Sequence, residues 1–369
     1  MAELEVHRML ASTPHEDGTG SMSISDEEAT KSLGGPHAIW LFAFGYFAAY
    51  APYSALTKAL SSGLYPDVDA LPGLSLLPIS TLTSLVVMLV FLTKMDWWKH
   101  ATQRQFLGRS WPVPRRLTAV SGACTALIIA TTTLAYTFEG VSIVFIMLLM
   151  RGGVLIIAPI VDAVSGRKVR WFSFVGLALS IAALIVAFAE KGGYAITLTC
   201  AIDVVLYLVA YLVRLRVMSR EAKSKKREAT LRYFVEEQLV ATPLTVALLC
   251  VGGLIGTGPV LETIRAGFIA LPAAAILPTM LLGVLSQGTG IFGTLVFLDP
   301  SENTFSVPVN RSSSILAGVV ASAILAVFLD AEWPSAQQLM AAGLVVLAIV
   351  ALTLGPWLAA RRGREEESA

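Results

Sequence analysis

Long apolar runs separated by short polar breaks fill the chain from residue 37 to residue 360. A helix that crosses a bilayer needs about 20 mainly apolar residues. Segments 37–60, 74–94, 115–138, 141–163, 171–189, 194–214, 236–256, 270–298, 303–329 and 336–360 meet that length. The pattern therefore predicts an all-α integral membrane protein of ten transmembrane helices. Two breaks are barely loops: Glu139-Gly140 and Asp299-Pro300-Ser301-Glu302. They predict helix three packed antiparallel on four, and eight on nine.

Polar segments divide the chain further. Residues 1–36 are hydrophilic, with acidic clusters at Glu16-Asp17 and Asp26-Glu27-Glu28, and are expected to form a disordered cytoplasmic tail with no signal peptide. Residues 37–190 and 194–360 then hold five helices each. The second half includes a basic linker, 215–235, and a short tail follows at 361–369. With an odd number of helices per half, the second enters the membrane from the opposite side. This gives two inverted five-helix repeats, an arrangement that places a transporter's substrate at the midplane between halves.

Composition agrees: 55% of residues are hydrophobic and 14% charged, against about 25% charged in ordinary globular chains. The net charge of +1 hides a segregation of sign and includes no basic domain, so nucleic acid is excluded as a partner. If the N-terminus is inside, all but five of the 27 lysines and arginines fall in cytoplasmic segments, as the positive-inside rule requires. Both termini are then cytoplasmic, and all seven tryptophans fall at or beside span ends. The expected location is the plasma or inner cell membrane, with an internal membrane such as the Golgi as the alternative.

Of the five exceptions, Lys191 and Arg265 lie in outside loops and Lys58, Arg151 and Arg311 lie within spans. An arginine at the bilayer centre costs at least about 2.5 kcal/mol, so Arg151 and Arg311, similarly placed in helices four and nine, demand a role. Each guanidinium suits a carboxylate, phosphate or sulfate, or else a structural pair within the protein. Asp203 in helix six is their best candidate counter-charge, or alternatively a proton or cation site. Tyr207 and Tyr211 follow it on the same helix face. Tyr46, Tyr50 and Tyr53 form an aromatic face on helix one, near Pro52, that suits either a cavity wall or helix packing. Gln287 is a further midmembrane polar group. Lys58, near the outer end of helix one, snorkels to the interface or contacts substrate.

Cys124, Cys200 and Cys250 lie in apolar runs and suggest neither disulfide nor metal site, and no cofactor is implied. The GxGxxG match at Gly288–Gly293 and the sequon at Asn310 both fall inside predicted spans, so neither has the context its usual function needs.

The layout, the run Ala49-Tyr-Ala-Pro-Tyr-Ser-Ala-Leu-Thr-Lys58, the run Met150-Arg-Gly-Gly153 with Pro159, and the run Asn310-Arg-Ser-Ser-Ser314 with Gly318 resemble the drug/metabolite transporter superfamily. Within it the chain is similar to EamA-type exporters and to nucleotide-sugar transporters. The resemblance implies alternating access by rocking helix bundles around a central cavity. The expected function is secondary transport of a small polar, anionic metabolite through a site made of Arg151, Arg311, Asp203, Tyr46, Tyr50, Tyr53, Gln287 and Lys58, without enzymatic activity. The partners are then that small molecule and membrane lipid, with a homodimer also admissible. The alternatives are an integral-membrane enzyme acting on lipid and a non-transporting receptor or scaffold.

Overall fold

The computed structural model describes residues 38–106, 108–134, 143–188, 198–223, 227–331, 333–334 and 336–367. The expected tail 1–36 and the hinge Glu139-Gly140 lie outside them. The described helices are α1 (Ala38–Ser61), α2 (Gly73–Lys94), α3 (Arg116–Leu134), α4 (Ile143–Val164), α5 (Trp171–Phe188) and α6 (Leu198–Glu221), followed by α7 (Arg227–Ile255), α8 (Pro259–Ile269), α9 (Ala273–Phe297), α10 (Asn303–Phe328) and α11 (Ala336–Glu367).

Among the described residues six helices are long and apolar enough to cross a membrane: α1, α2, α7, α9, α10 and the Leu339–Ala359 part of α11. Shorter apolar stretches occupy α3 and α5. Large aliphatic side chains such as Leu254, Leu277, Val86 and Leu347 are exposed around the bundle. Such a surface finds its solvent in lipid rather than water, and the protein is membrane-embedded and all-helical.

Two elements depart from the expected pattern. Between α2 and α3 a small antiparallel hairpin pairs β1 (Gln103–Phe106) with β2 (Arg109–Pro112). Its turn passes through Gly108 at φ +72°, which glycine adopts without steric cost. The amphipathic helix α8 fills a stretch expected to be loop.

The basic linker expected at 215–235 is not a separate hydrophilic segment. Helix α6 continues to Glu221 and α7 already begins at Arg227. Leu215, Met218, Leu231, Tyr233, Phe234 and Val235 are buried in the main core. The charges there hid an apolar face: Trp97 packs edge-on against Phe234 at 5.4 Å and against Phe91 at 5.1 Å, sealing this end of the bundle. Likewise α11 runs on to Glu367, through most of the expected tail.

Helix α9 packs on α10 as the tight hinge predicts. Helix α3 does not pack extensively on α4 among the described residues; it lies along α6 and α7. Glycines allow the closest crossings. At Gly283 of α9, an added β-carbon would run into the Ser80 carbonyl of α2, and the Ser84 hydroxyl donates to the Gly283 carbonyl at 2.8 Å.

Candidate functional site

Helices α1 and α6 each carry two tyrosines at a spacing of four, which places both rings on one helix face. In α1, Tyr46 and Tyr50 stack with centroids 5.4 Å apart; in α6, Tyr207 and Tyr211 lie 4.9 Å apart. Each pair meets an arginine from another helix. Arg151 of α4 donates through Nη2 to the Tyr50 hydroxyl at 2.6 Å, with its guanidinium 5.8 Å from that ring's centroid. Arg311 of α10 lies 5.0 Å from the Tyr211 ring and 5.9 Å from Phe297. Tyr46 and Tyr207 each stand within electrostatic reach of both guanidinium groups. Two arginines from distant parts of the chain thus converge on one tyrosine cluster.

The two arginines differ in what they still offer. Arg311 is only 6% exposed, and its Nε and Nη2 have no hydrogen-bond partner. Those two N–H groups point in parallel along one edge of the guanidinium, the fork that grips two oxygens of a carboxylate or phosphate. Leaving a buried donor unpaired costs about 1–3 kcal/mol, and more on a charged group. The ring faces of Tyr211 and Phe297 offset part of that cost through the cation–π interaction, but they do not satisfy the fork. The Nε2 of Gln287, 5% exposed on α9, is another buried donor without a partner. The next residue, Gly288, packs against Ala49, which sets Gln287 level with the Tyr46–Tyr50 stack.

The remaining expected site residues divide. Tyr53 extends the α1 stack, 5.9 Å from Tyr50, at its edge. Asp203 is buried, yet it pairs with neither arginine, and both of its carboxylate oxygens lack a partner. The expected counter-charge role is not seen: Arg151 donates to Tyr50, and Arg311 lies against the Tyr211 and Phe297 rings with its fork open. Lys58 is exposed in the last turn of α1, eight residues and about 12 Å along the helix from Tyr50, and does not join the cluster. A cavity of about 450 Å³, lined by Leu71, Pro259, Glu262 and Leu271 among others, lies between α8 and the start of α2 and holds none of these residues.

Two further buried polar systems were missed at the sequence level. Between α3, α6 and α7, Arg214 forms a two-point pair with Glu237, at 2.8 and 3.1 Å, and also donates to Thr294 of α9. Glu237 accepts from Ser121 and Thr125, and Ser121 bonds to Tyr233. Beside it, Glu236 accepts from Thr102, Arg115 and Thr118, which anchors the hairpin and the start of α3. Phe297 lies between Arg214, at 5.7 Å, and Arg311, so this network abuts the tyrosine cluster. The signal was available as two adjacent glutamates opening an apolar run.

The second system closes the end of the bundle where α9 turns into α10. Asp162, the last acid of α4, accepts four hydrogen bonds from Asn303 and Thr304. Glu302 accepts from Arg170 at 2.9 Å and from Ser173 at 2.6 Å. Burial alone would raise its carboxyl, but those donors outweigh burial and hold it below the ordinary range. Arg167 donates to the carbonyls of Pro300, Ser301 and Lys223. The Lys223 amine donates to the Ser301 carbonyl and the Ser306 hydroxyl. Burial, with Arg167 nearby, pushes that amine down to about 7. Together these contacts latch the end of α4, the start of α5 and the residues just after α6 onto the hinge and first turn of α10.

No family model matches this chain, and no curated protein does. A solved structure described only as "Crystal structure of protein" is similar to it, with a TM-score of 0.58 and 16% identity over 88% of this chain and 98% of that one. At that identity the likeness concerns the fold alone.

Proposed function

We propose that this protein is a secondary transporter of a small anionic metabolite, working by alternating access between two inverted five-helix repeats. The observation that carries this reading is the open guanidinium fork of Arg311, buried inside an apolar bundle. A donor pair left unsatisfied in such a place is suited to an anion that arrives and leaves.

The packing supports the repeat. If α1–α5 correspond in order to α6, α7, α9, α10 and α11, exchanging counterparts carries the α1–α9 contact onto α6–α3, α1–α10 onto α6–α4, and α2–α9 onto α7–α3. The α2–α7, α4–α10 and α5–α11 contacts map onto themselves. The site follows the same exchange. Tyr46 and Tyr50 recur 161 positions later as Tyr207 and Tyr211, and Arg151 recurs 160 positions later as Arg311. Arg151 takes its tyrosine from α1, and Arg311 takes its own from the counterpart α6. On this reading all ten long helices cross the membrane, and the latched end is the basic, cytoplasmic one. The superfamily resemblance fits the same picture, and a closed latch on one side is what alternating access requires of one of its states.

Thermal unfolding of the purified protein tests the site with sulfate, inorganic phosphate and a dicarboxylate, using glucose as the neutral control. An anion that binds the folded state raises its stability by mass action, by about 2.7 kcal/mol at a hundredfold excess over Kd. The expected result is stabilisation by at least one anion, lost in Arg311→Gln, followed by flux of that anion in proteoliposomes. A folded Arg311→Gln variant that moves the same anion at the wild-type rate would refute the proposal.

A further inference from the structure

Five carboxylates are buried among the described residues: Asp162, Asp203, Glu236, Glu237 and Glu302. Four are satisfied by the hydrogen bonds and ion pairs given above. Asp203, 2% exposed, has neither oxygen partnered. The proposed repeat does not call for it either: the 161-residue offset that carries Tyr46 onto Tyr207 carries Phe42 onto Asp203. An acid in one half thus stands where the other half has a phenyl ring, so its presence is not a requirement of the architecture.

An ionised carboxylate without a partner in an apolar interior costs several kcal/mol, and such a group takes up a proton instead. A metal cation is a poor alternative, because it needs several oxygen ligands. Among the described residues no three His, Cys, Asp or Glu side chains gather in one place. Several titratable groups on the helices packed around α6 are engaged elsewhere. Helix α3 carries no charge beyond Arg116, and its Cys124 lies near Arg214 and Glu237. On α4, Arg151 turns to Tyr50, and Asp162 belongs to the latch. On α7, Glu236 and Glu237 are paired with Arg115 and Arg214. On α6 itself, Cys200 feels the Asp203 carboxylate. Tyr207 follows Asp203 by one turn; its hydroxyl interacts with that of Tyr211, which interacts in turn with the Arg311 guanidinium.

We propose that Asp203 is a proton-binding site, linked through Tyr207 and Tyr211 to the anion site at Arg311. The link rests on the anion-transport reading; the proton site itself does not. Protonation removes a negative charge one turn from the tyrosine bridge, so a proton strengthens anion binding. By reciprocity a bound anion strengthens proton binding by the same factor. Proton and anion are then carried together.

Infrared difference spectroscopy of the full-length protein in liposomes, stepped through pH, reads the proton directly. The expected result is a carbonyl-stretch band of a protonated carboxylic acid that grows as pH falls, is missing from Asp203→Asn and is shifted in frequency in Asp203→Glu. Sulfate, which does not titrate in this range, should move the midpoint of that band to higher pH in the wild type and leave it unmoved in Arg311→Gln. A spectrum identical in wild type, Asp203→Asn and Asp203→Glu overturns the proton site. A band that behaves as expected, with a midpoint that sulfate leaves in place although sulfate stabilises the protein through Arg311, overturns the link. If sulfate and the other anions fail to stabilise the protein at all, the anion reading fails, and the band alone still decides Asp203.

Discussion

Replacing Asp162 with alanine should destabilise the protein more than any other single change at the latched end. Helix α10 has no cap of its own, because its N-cap residue, Glu302, makes no capping hydrogen bond and directs its carboxylate to Arg170 and Ser173. Asp162 does that work from α4. It accepts from the backbone N–H groups of Asn303 and Thr304 at 2.9 and 2.6 Å and from their side chains at 2.7 Å each. A hydrogen bond to a charged acceptor contributes about 1.5–3 kcal/mol net, and an abandoned buried donor costs about 1–3 kcal/mol. The two side-chain donors can rotate to other acceptors, Asn303 having Ser219 at 2.8 Å already. The two backbone donors cannot, so the expected loss is about 3–4 kcal/mol, near the lower end of the roughly 3–5 kcal/mol for breaking a buried charged contact. With an unfolding entropy of about 2.1 cal/mol/K per residue, 369 residues give about 0.8 kcal/mol per degree, so Tm should fall by roughly 5 °C. Intrinsic fluorescence of the detergent-solubilised protein during heating measures this, with Asp162→Asn expected about midway because it keeps one acceptor oxygen. A Tm for Asp162→Ala within about 1 °C of the wild type would refute the capping argument.

Lys223 supplies a pH dependence. Its amine titrates near 7 in the fold against an ordinary value of 10.5, so between those values the unfolded chain binds more protons and stability rises with pH; below about 7 both states are charged and the destabilisation is complete. Melting temperature should therefore climb from pH 7 toward pH 10, and Lys223→Met should flatten that rise; an unchanged slope in the variant rejects the assignment. Gly283→Ala drives a methyl group into the Ser80 carbonyl and should lower stability by about 1–3 kcal/mol, whereas Gly318→Ala, mid-helix with open space around it, should not lower the melting temperature and should raise it slightly through helix propensity. Glu237→Gln strips the buried Arg214 of its counter-charge and should cost about 3–5 kcal/mol, while the double change Glu237→Leu with Arg214→Met should recover much of the loss; melting curves of the three proteins separate these outcomes.

Much of the fold was legible because lipid imposes one rule, that apolar length equals a helix, and the chain follows it. The GxGxxG run and the Asn310 sequon lie within α9 and α10, as their apolar surroundings indicated. The rule fails where charge and burial coincide. Residues 215–235 looked like a solvated linker because their lysines and arginines outweighed Leu215, Met218, Tyr233 and Phe234 in any averaged pattern, yet α6 and α7 bury that face against Trp97. The convergence of Arg151 and Arg311 could be anticipated from their matched placement. Their partners could not, since a tyrosine face attracts a guanidinium through its π-density and leaves no opposite charge to search for. The cue lay in the repeated Tyr-x-x-x-Tyr pairs of α1 and α6. The Asp162 cap was invisible because the residue it serves is 141 positions away and carries no complementary charge.

The latch and the open fork belong to one mechanical element. Helix α10 begins in the grip of Asp162 and Lys223, with Arg167 on the hinge carbonyls just before it, and Arg311 stands eight residues further along it, about 12 Å at the helical rise. No loop separates them, although Pro308 within the helix leaves its first turn free to bend. On the proposed anion-transport reading, an anion seated in the fork would pull on α10 from the tyrosine side, against the latch on its first turn. In the proposed inverted repeat the counterpart of α10 is α4, the helix that carries both Arg151 and Asp162. Each arginine-bearing helix is thus tied at one point to the other half and at another to the shared tyrosine cluster. In a transporter of the proposed kind, such a pair would exchange which end is closed only if both helices moved, and a ligand contacting either arginine would bias the exchange by the difference in its affinity for the two states.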